Sequence, residues 1–247
     1  MEVHTHSHTS RKKWTHYFRE FFMLFLAVTL GFLVENWREH VVEHRREKQF
    51  IETLIEDLKS DTSQLNLTIE FRLRKETMVD SLAFFMKSPE RNKHGSEIYY
   101  YVRSLSRNKF FLPNDRTIQQ LKNSGNLRLI HNINVSNNIM SYDQQLTYLV
   151  QNYDQERHFI GDVKDVEKYI LDGYVLLDMI DPQNLFELKR PIGNPPLLTQ
   201  SPSTLNELIV QAQFVKSIVN VNRQREEKIK QTAAELISFL KKEYHLK

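Results

Sequence analysis

The sequence predicts an all-α protein, in which one amino-terminal transmembrane helix continues into a helical stalk and an antiparallel long-helix bundle or coiled-coil domain. Three observations predict it. Phe21 to Val34, FFMLFLAVTLGFLV, is a fourteen-residue run without a charge. Only six glycines and seven prolines occur in 247 residues, and five of those prolines fall between Pro182 and Pro202, which leaves the rest free to run as helix. Two long stretches keep apolar residues at alternating three- and four-residue steps, the spacing of a helix seam.

The apolar run rises only about 21 Å as a helix, short of a hydrocarbon core of roughly 30 Å, so its flanks decide the reading. Trp14 and Tyr17 precede it and Trp37 follows. The two indoles are separated by about 34 Å of helix, which sets them near opposite interfaces of a bilayer. Phe21, Phe22, Leu24, Leu26, Leu30, Phe32 and Leu33 make the run apolar on every side rather than striped, unlike a helix lying on a membrane surface. It passes straight into Glu35-Asn36-Trp37-Arg38-Glu39 without the small residues that signal-peptide processing needs, so an uncleaved anchor is expected. The expected organisation is a polar His-rich tail over 1–16, a span over 17–37, a charged stalk over 38–49, and a helical bundle over 50–247 with a Pro-rich connection at 181–203.

Arg11, Lys12, Lys13 and Arg19 crowd the amino-terminal side of the run, so that side is expected in the cytoplasm and the large domain in a periplasm. The absence of cysteine fits that compartment without requiring it. A net charge of +3, from 34 basic and 31 acidic residues, is near balance and gives no electrostatic footprint for nucleic acid.

Beyond the stalk, Phe50, Ile51, Leu54, Ile55 and Leu58 start an apolar stripe. Asp61, Thr62 and Ser63 are expected to cap or kink the chain before Leu65, Ile69, Leu73, Leu82, Phe85 and Met86 carry a second helical stretch to Pro89. A turn over Pro89 to Ser96 leads to a short helix from Ile98 to Leu105. Pro113 stops the next element, Asn114 or Asp115 is placed to cap a helix through Leu121, and Gly125 sits where a helix ends in a left-handed residue. Leu127, Leu129 and Ile130 are expected to pack on the core, and Asn132 or Asn134 to open the following helix.

The first seam reads Val135, Ile139, Tyr142, Leu146, Leu149, Tyr153, Glu156, Ile160, Val163, Glu167, Ile170 and Tyr174. The second reads Leu205, Leu208, Ala212, Val215, Val219, Asn222, Glu226, Ile229, Ala233, Leu236 and Leu240. Each calls for a partner helix, antiparallel in the same chain or in a neighbouring subunit. Each also carries a polar pair. Asn222 and Glu226 would be costly if dry; they specify register, meet Glu156 or Glu167 through a basic residue, or mark where the bundle opens to water. The last is the expected case, since charged side chains are seldom fully buried.

The segments HTHSH, KKWTHYFREFFMLFLAVTLGFLVENWREH, REKQFIETLIEDLKSDT and LKNSGNLRLI resemble an uncharacterised family of single-pass membrane proteins found in Bacteroidota. The resemblance covers roughly 1–62 and 111–142. It implies a bacterial envelope protein and carries over no catalytic residue.

For chemistry, His40 and His44 lie one helical turn apart and form a weak candidate metal pair, and His4, His6 and His8 alternate in the tail. Neither group has the surrounding ligands of a zinc helix, so no metal or other cofactor is expected. Without cysteine, a G-x-S-x-G elbow or a phosphate-binding glycine loop, no catalytic residue is assigned and an enzyme is not expected. Tyr99, Tyr100 and Tyr101 are the candidate ligand or partner surface, although aromatic residues at a helix junction usually serve packing. The expected function is an anchored extracytoplasmic interaction or scaffold protein, associating with the lipid bilayer and with itself or another envelope protein. The alternative is an extracytoplasmic sensor domain that binds a small molecule and signals through a separate membrane partner.

Overall fold

The computed structural model describes residues 14–184 and 187–246. Six α-helices follow in order: α1 (Trp14–Lys87), α2 (Gly95–Leu105), α3 (Arg116–Asn123), α4 (Ile133–Glu167), α5 (Gly173–Asp178) and α6 (Pro202–Glu243), with short 3-10 turns at Arg91–Lys93 and Asn126–Leu129. Among the described residues the only β feature is one isolated antiparallel bridge between Ile180 and Leu188. The protein is all-α. It divides into two compact units, Met1–Phe50 and Ile51–Lys247.

In the first unit, α1 is one helix long and apolar enough to cross a membrane, and none of that apolar window is buried among the described residues. Its large side chains lie open on every side, from Leu26 at 38% exposure to Val28 at 73% and Trp14 at 85%.

In the second unit, α1, α4 and α6 form a bundle. Along α6 and α4, Glu243 pairs with Asn132, Thr232 with Gln145, Asn222 with Glu156 and Phe214 with Phe159, so the two run antiparallel within one chain. Arg72 meets Glu226, Glu76 meets Arg223 and Asp80 meets Lys216, so α1 is antiparallel to α6 as well. Every position of the second sequence seam, including Leu205, Leu208, Val215, Val219, Asn222, Ile229, Leu236 and Leu240, is buried. The first seam is buried from Val135 to Ile170. Tyr174 departs from it, being 82% exposed, because α4 stops at Glu167 and Asp172 caps a new helix through the Tyr174 N–H.

Helix α1 differs from expectation in two ways. It runs unbroken through Asp61, Thr62 and Ser63, because the Asp61 carboxylate is used across the bundle rather than on its own backbone. Its buried face is Ile51, Leu54, Leu58, Asp61, Leu65, Thr68, Arg72, Lys75, Val79, Leu82 and Met86, a continuous alternation of three- and four-residue steps. Ile69 is half-buried and Leu73 is 46% exposed, so neither belongs to the seam.

The turns follow their local chemistry. Gly125 is left-handed at φ +67°, and Asn132 opens α4 by accepting from the Asn134 N–H at 2.9 Å. Leu129 and Ile130 are buried and Leu127 is half-buried. The Pro-rich connection is strapped onto α2: the Gly95 N–H donates to Asn194 Oδ1, the Ser96 hydroxyl to the Pro191 carbonyl and the Tyr99 hydroxyl to the Pro196 carbonyl. The approach is so close that a Cβ on Gly95 would lie 2.0 Å from the Pro195 carbonyl oxygen.

Gly95→Ala is therefore expected to destabilise the protein by about 2 kcal/mol, because the strap must lift off α2 to make room. Gly161→Ala, in the interior of α4 with nothing within 4 Å of the new methyl, is expected to stabilise by about 0.5–1 kcal/mol. Urea unfolding of the detergent-solubilised protein, followed by far-ultraviolet circular dichroism, measures both; equal effects would refute the packing argument.

Candidate functional site

Two polar clusters are buried in the bundle, both centred on α1. In the first, Arg72 joins three helices. Its Nη1 donates to Glu156 Oε2 on α4 at 2.7 Å and its Nε to Glu226 Oε1 on α6 at 2.8 Å. Asn222 Nδ2 donates to the same Glu156 oxygen at 2.8 Å, and the Tyr153 hydroxyl donates to Glu226 Oε1 at 2.8 Å. All five residues are 2% exposed or less. Asn222 and Glu226 thus do not mark an opening to water. They are dry and partnered through a basic residue, because α1 delivers a cation to the level at which both carboxylates sit.

Burial opposes the Arg72 charge, but Glu156 and Glu226 outweigh it and hold the guanidinium above its ordinary value. Burial pushes the Glu226 carboxyl up against the pull of Arg72, and burial together with Glu226 pushes the Tyr153 hydroxyl up. One donor and one acceptor, Arg72 Nη2 and Glu226 Oε2, are buried without a hydrogen-bond partner. Glu167, the remaining seam carboxylate, meets Arg103 on α2 at 3.4 Å.

The second cluster docks the turn before α3. Asp57, 1% exposed, accepts from Arg116 Nε at 3.0 Å and Nη2 at 2.8 Å, and from the Thr117 backbone N–H and hydroxyl. Asp61, one helical turn on, accepts from the Asn114 N–H and the Tyr142 hydroxyl, each at 2.8 Å. Burial raises the Asp61 carboxyl despite both bonds. Asp115 occupies the N-cap position of α3 without making a cap bond, its carboxylate accepting instead from Gln119. The orphan N–H that it was expected to satisfy is served by Asp57 from α1. In this way LIEDLKSDT and PNDRT, read separately in the sequence, form one interlocked unit.

The sequence candidates fall as follows. Tyr99 is fully buried; its hydroxyl donates to Pro196 and accepts from the Asp172 N–H at 2.8 Å, so it is a core latch and not a ligand surface. Tyr100 and Tyr101 are half-buried under the Arg190 guanidinium, which lies 4.6 and 5.6 Å from their ring centres. A shallow groove of about 990 Å³ runs instead along the polar face of α4, lined by Asn137, Ser141, Gln144, Tyr148 and Gln151 among others. His44 lies 3.4 Å from Glu47, and among the described residues no group of three or more His, Asp or Glu side chains is arranged to hold a metal ion. His4, His6 and His8 lie outside the described residues.

The chain matches no protein-family model, no curated protein and no solved structure. The role of each residue therefore rests on the geometry alone. The polar layer has no open approach from solvent, and what it can do is fix how three helices align.

Removing the cation alone leaves two buried carboxylates without a counter-ion. Arg72→Met is accordingly expected to cost about 3–5 kcal/mol of unfolding free energy, and adding Glu156→Gln and Glu226→Gln to it to recover all but about 1–2 kcal/mol. The same urea titration reads both, and a triple variant no more stable than Arg72→Met would show that charge burial is not what Arg72 offsets.

Proposed function

We propose that the protein is a membrane-anchored, extracytoplasmic helical interaction or scaffold protein of the bacterial cell envelope, acting without catalysis. The observation that carries this reading is the uninterrupted apolar surface of α1 from Phe21 to Val34, which no other described residue covers. An all-apolar circumference of this kind is at its lowest free energy in hydrocarbon, and its backbone groups are satisfied within the helix. Trp14, Tyr17 and Trp37 supply interfacial rings at its two ends.

The excess of Arg and Lys before the run favours a cytoplasmic amino terminus in the inner membrane and a periplasmic bundle. The resemblance to the Bacteroidota family agrees with an envelope setting. A buried polar layer that aligns three helices serves a domain whose job is to present a fixed surface, to a second copy or to another envelope protein. The near-balanced charge speaks against nucleic acid as that partner. A sensor reading loses its best candidate pocket with Tyr99, which is committed to the core.

The full-length protein is expected to stay with vesicles in alkaline carbonate, and a protease added to spheroplasts is expected to digest the bundle while sparing the amino terminus. Release by carbonate would refute the anchor, and a protected bundle would reverse the orientation. The mass of the detergent-solubilised protein then tests the scaffold reading: an oligomer, or a copurifying envelope protein, supports it, and a partnerless monomer that binds a small molecule replaces it with the sensor.

A further inference from the structure

Three residues past Arg72, the α1 seam carries a second buried basic residue that the polar layer does not use. Lys75 is 2% exposed. Its Nζ donates to the Arg107 carbonyl at 2.7 Å and to Asn108 Oδ1 at 3.1 Å, both in the connection between α2 and α3. It makes no ion pair among the described residues. The charged groups that face it are Arg72 on its own helix and Lys164 on α4, which repel an ammonium, and Glu156 on α4, which attracts one. Glu156 Oε2 is already shared between Arg72 and Asn222. The two acceptors that the connection offers to Nζ are neutral oxygens. The Phe71 ring, 6.0 Å from Nζ, adds a weak attraction.

We propose that Lys75 is a proton-coupled latch: its neutral amine fastens residues 106–115 to α1, and opening of that connection takes up a proton. A neutral amine carries two N–H groups and finds two acceptors here, so it satisfies the connection without burying a charge. An ammonium keeps both bonds but adds a buried charge between two other cations. Burial accordingly pulls the Lys75 amine from its ordinary 10.5 down to about 7.

The direction of the coupling follows. When the connection opens, Lys75 meets water and regains its ordinary proton affinity, so the open form binds the proton more tightly than the closed form. Opening is therefore rarest at high pH, becomes about tenfold more frequent for each unit of pH lost between about 10 and 7, and levels off below 7, where both forms are protonated. The connection also covers the polar layer, since Phe110 packs on the Tyr153 ring at 4.6 Å between centres. Lowering the pH toward neutrality thus loosens the lid over the residues that align the bundle, a regulation separate from how the protein is anchored.

Hydrogen exchange of the full-length protein in detergent, read by mass spectrometry between pH 7 and 9 and corrected for intrinsic rates, tests this. Peptides covering 106–112 are expected to gain about 50-fold protection from pH 7 to 9, while peptides from the middle of α6 change little. Lys75→Met is expected to abolish that gradient, and Lys75→Arg to leave the segment poorly protected at every pH. A flat wild-type profile, or a gradient that survives in Lys75→Met, overturns the latch. Where neither variant folds, the wild-type contrast between 106–112 and α6 decides it alone.

Discussion

The fold depends on one ion triad that fits in only one alignment of three helices. Arg72 reaches Glu156 and Glu226 together because α1, α4 and α6 carry their polar seam residues at the same level. An apolar seam of repeating heptads does not by itself forbid a slip of seven residues, since Leu, Ile and Val exchange at modest cost. Here a slip of α6 would set Arg72 against Val219 or Ala233, both fully buried, and leave Glu226 without its cation. An unpaired buried charge costs several kcal/mol, more than any gain from re-formed apolar contacts. The layer contributes less to stability than to uniqueness: it divides an apolar cluster ending at Ile160 and Val219 from a second set that resumes at Leu149 and Ile229.

The smaller elements are held by the same means, with polar groups on long helices satisfying chain ends that lack partners of their own. Asp57 caps α3 from across the bundle, Asn194 accepts the first N–H of α2, and Tyr99 ties the Pro-rich connection to the residue that caps α5. None of these helices is long enough to persist alone, so their ends are ordered by docking. The arrangement is economical in sequence, since one buried side chain fixes each joint. It is also unforgiving, since a Cβ at Gly95 would run into the Pro195 carbonyl and Gly193 holds a φ of +76° that other residues rarely adopt.

Most of the architecture was legible in the sequence because it is periodic. The α6 seam was legible in full, and the α4 seam as far as Ile170, beyond which Tyr174 kept the spacing by accident while the Asp172-Gly173 pair restarted the chain. Helix α1 was misread in its middle for a physical reason. Apart from Leu65 its seam there is polar, Asp61, Thr68, Arg72 and Lys75, whereas the apolar Ile69 and Leu73 lie off the seam. Extending the three-four alternation forward from Leu58 and back from Val79 would have landed on those polar positions. Their partners stay illegible in any case: Asp61 finds Asn114 across 53 residues and Arg72 finds Glu226 across 154, and no local pattern encodes such pairs. The same blindness made Asn222 and Glu226 look wet.

The contrast between the two apolar regimes of α1 is what ties structure to the function we propose. From Ile51 onward its buried apolar residues are spaced to form one face, and that face is turned into the bundle. From Phe21 to Val34 eleven large apolar side chains follow one another with no spacing, and all of them are exposed. Periodicity is how a helix meets another helix, because a partner covers only a third or so of its circumference. A helix apolar all round has no use for a single partner and requires a medium. Exposing so much hydrocarbon to water is unfavourable, at about 25 cal/mol per Å². A bilayer satisfies the requirement with no further contact from the chain, and the charged turns that follow, opening with the Glu35–Arg38 pair, suit the return to water.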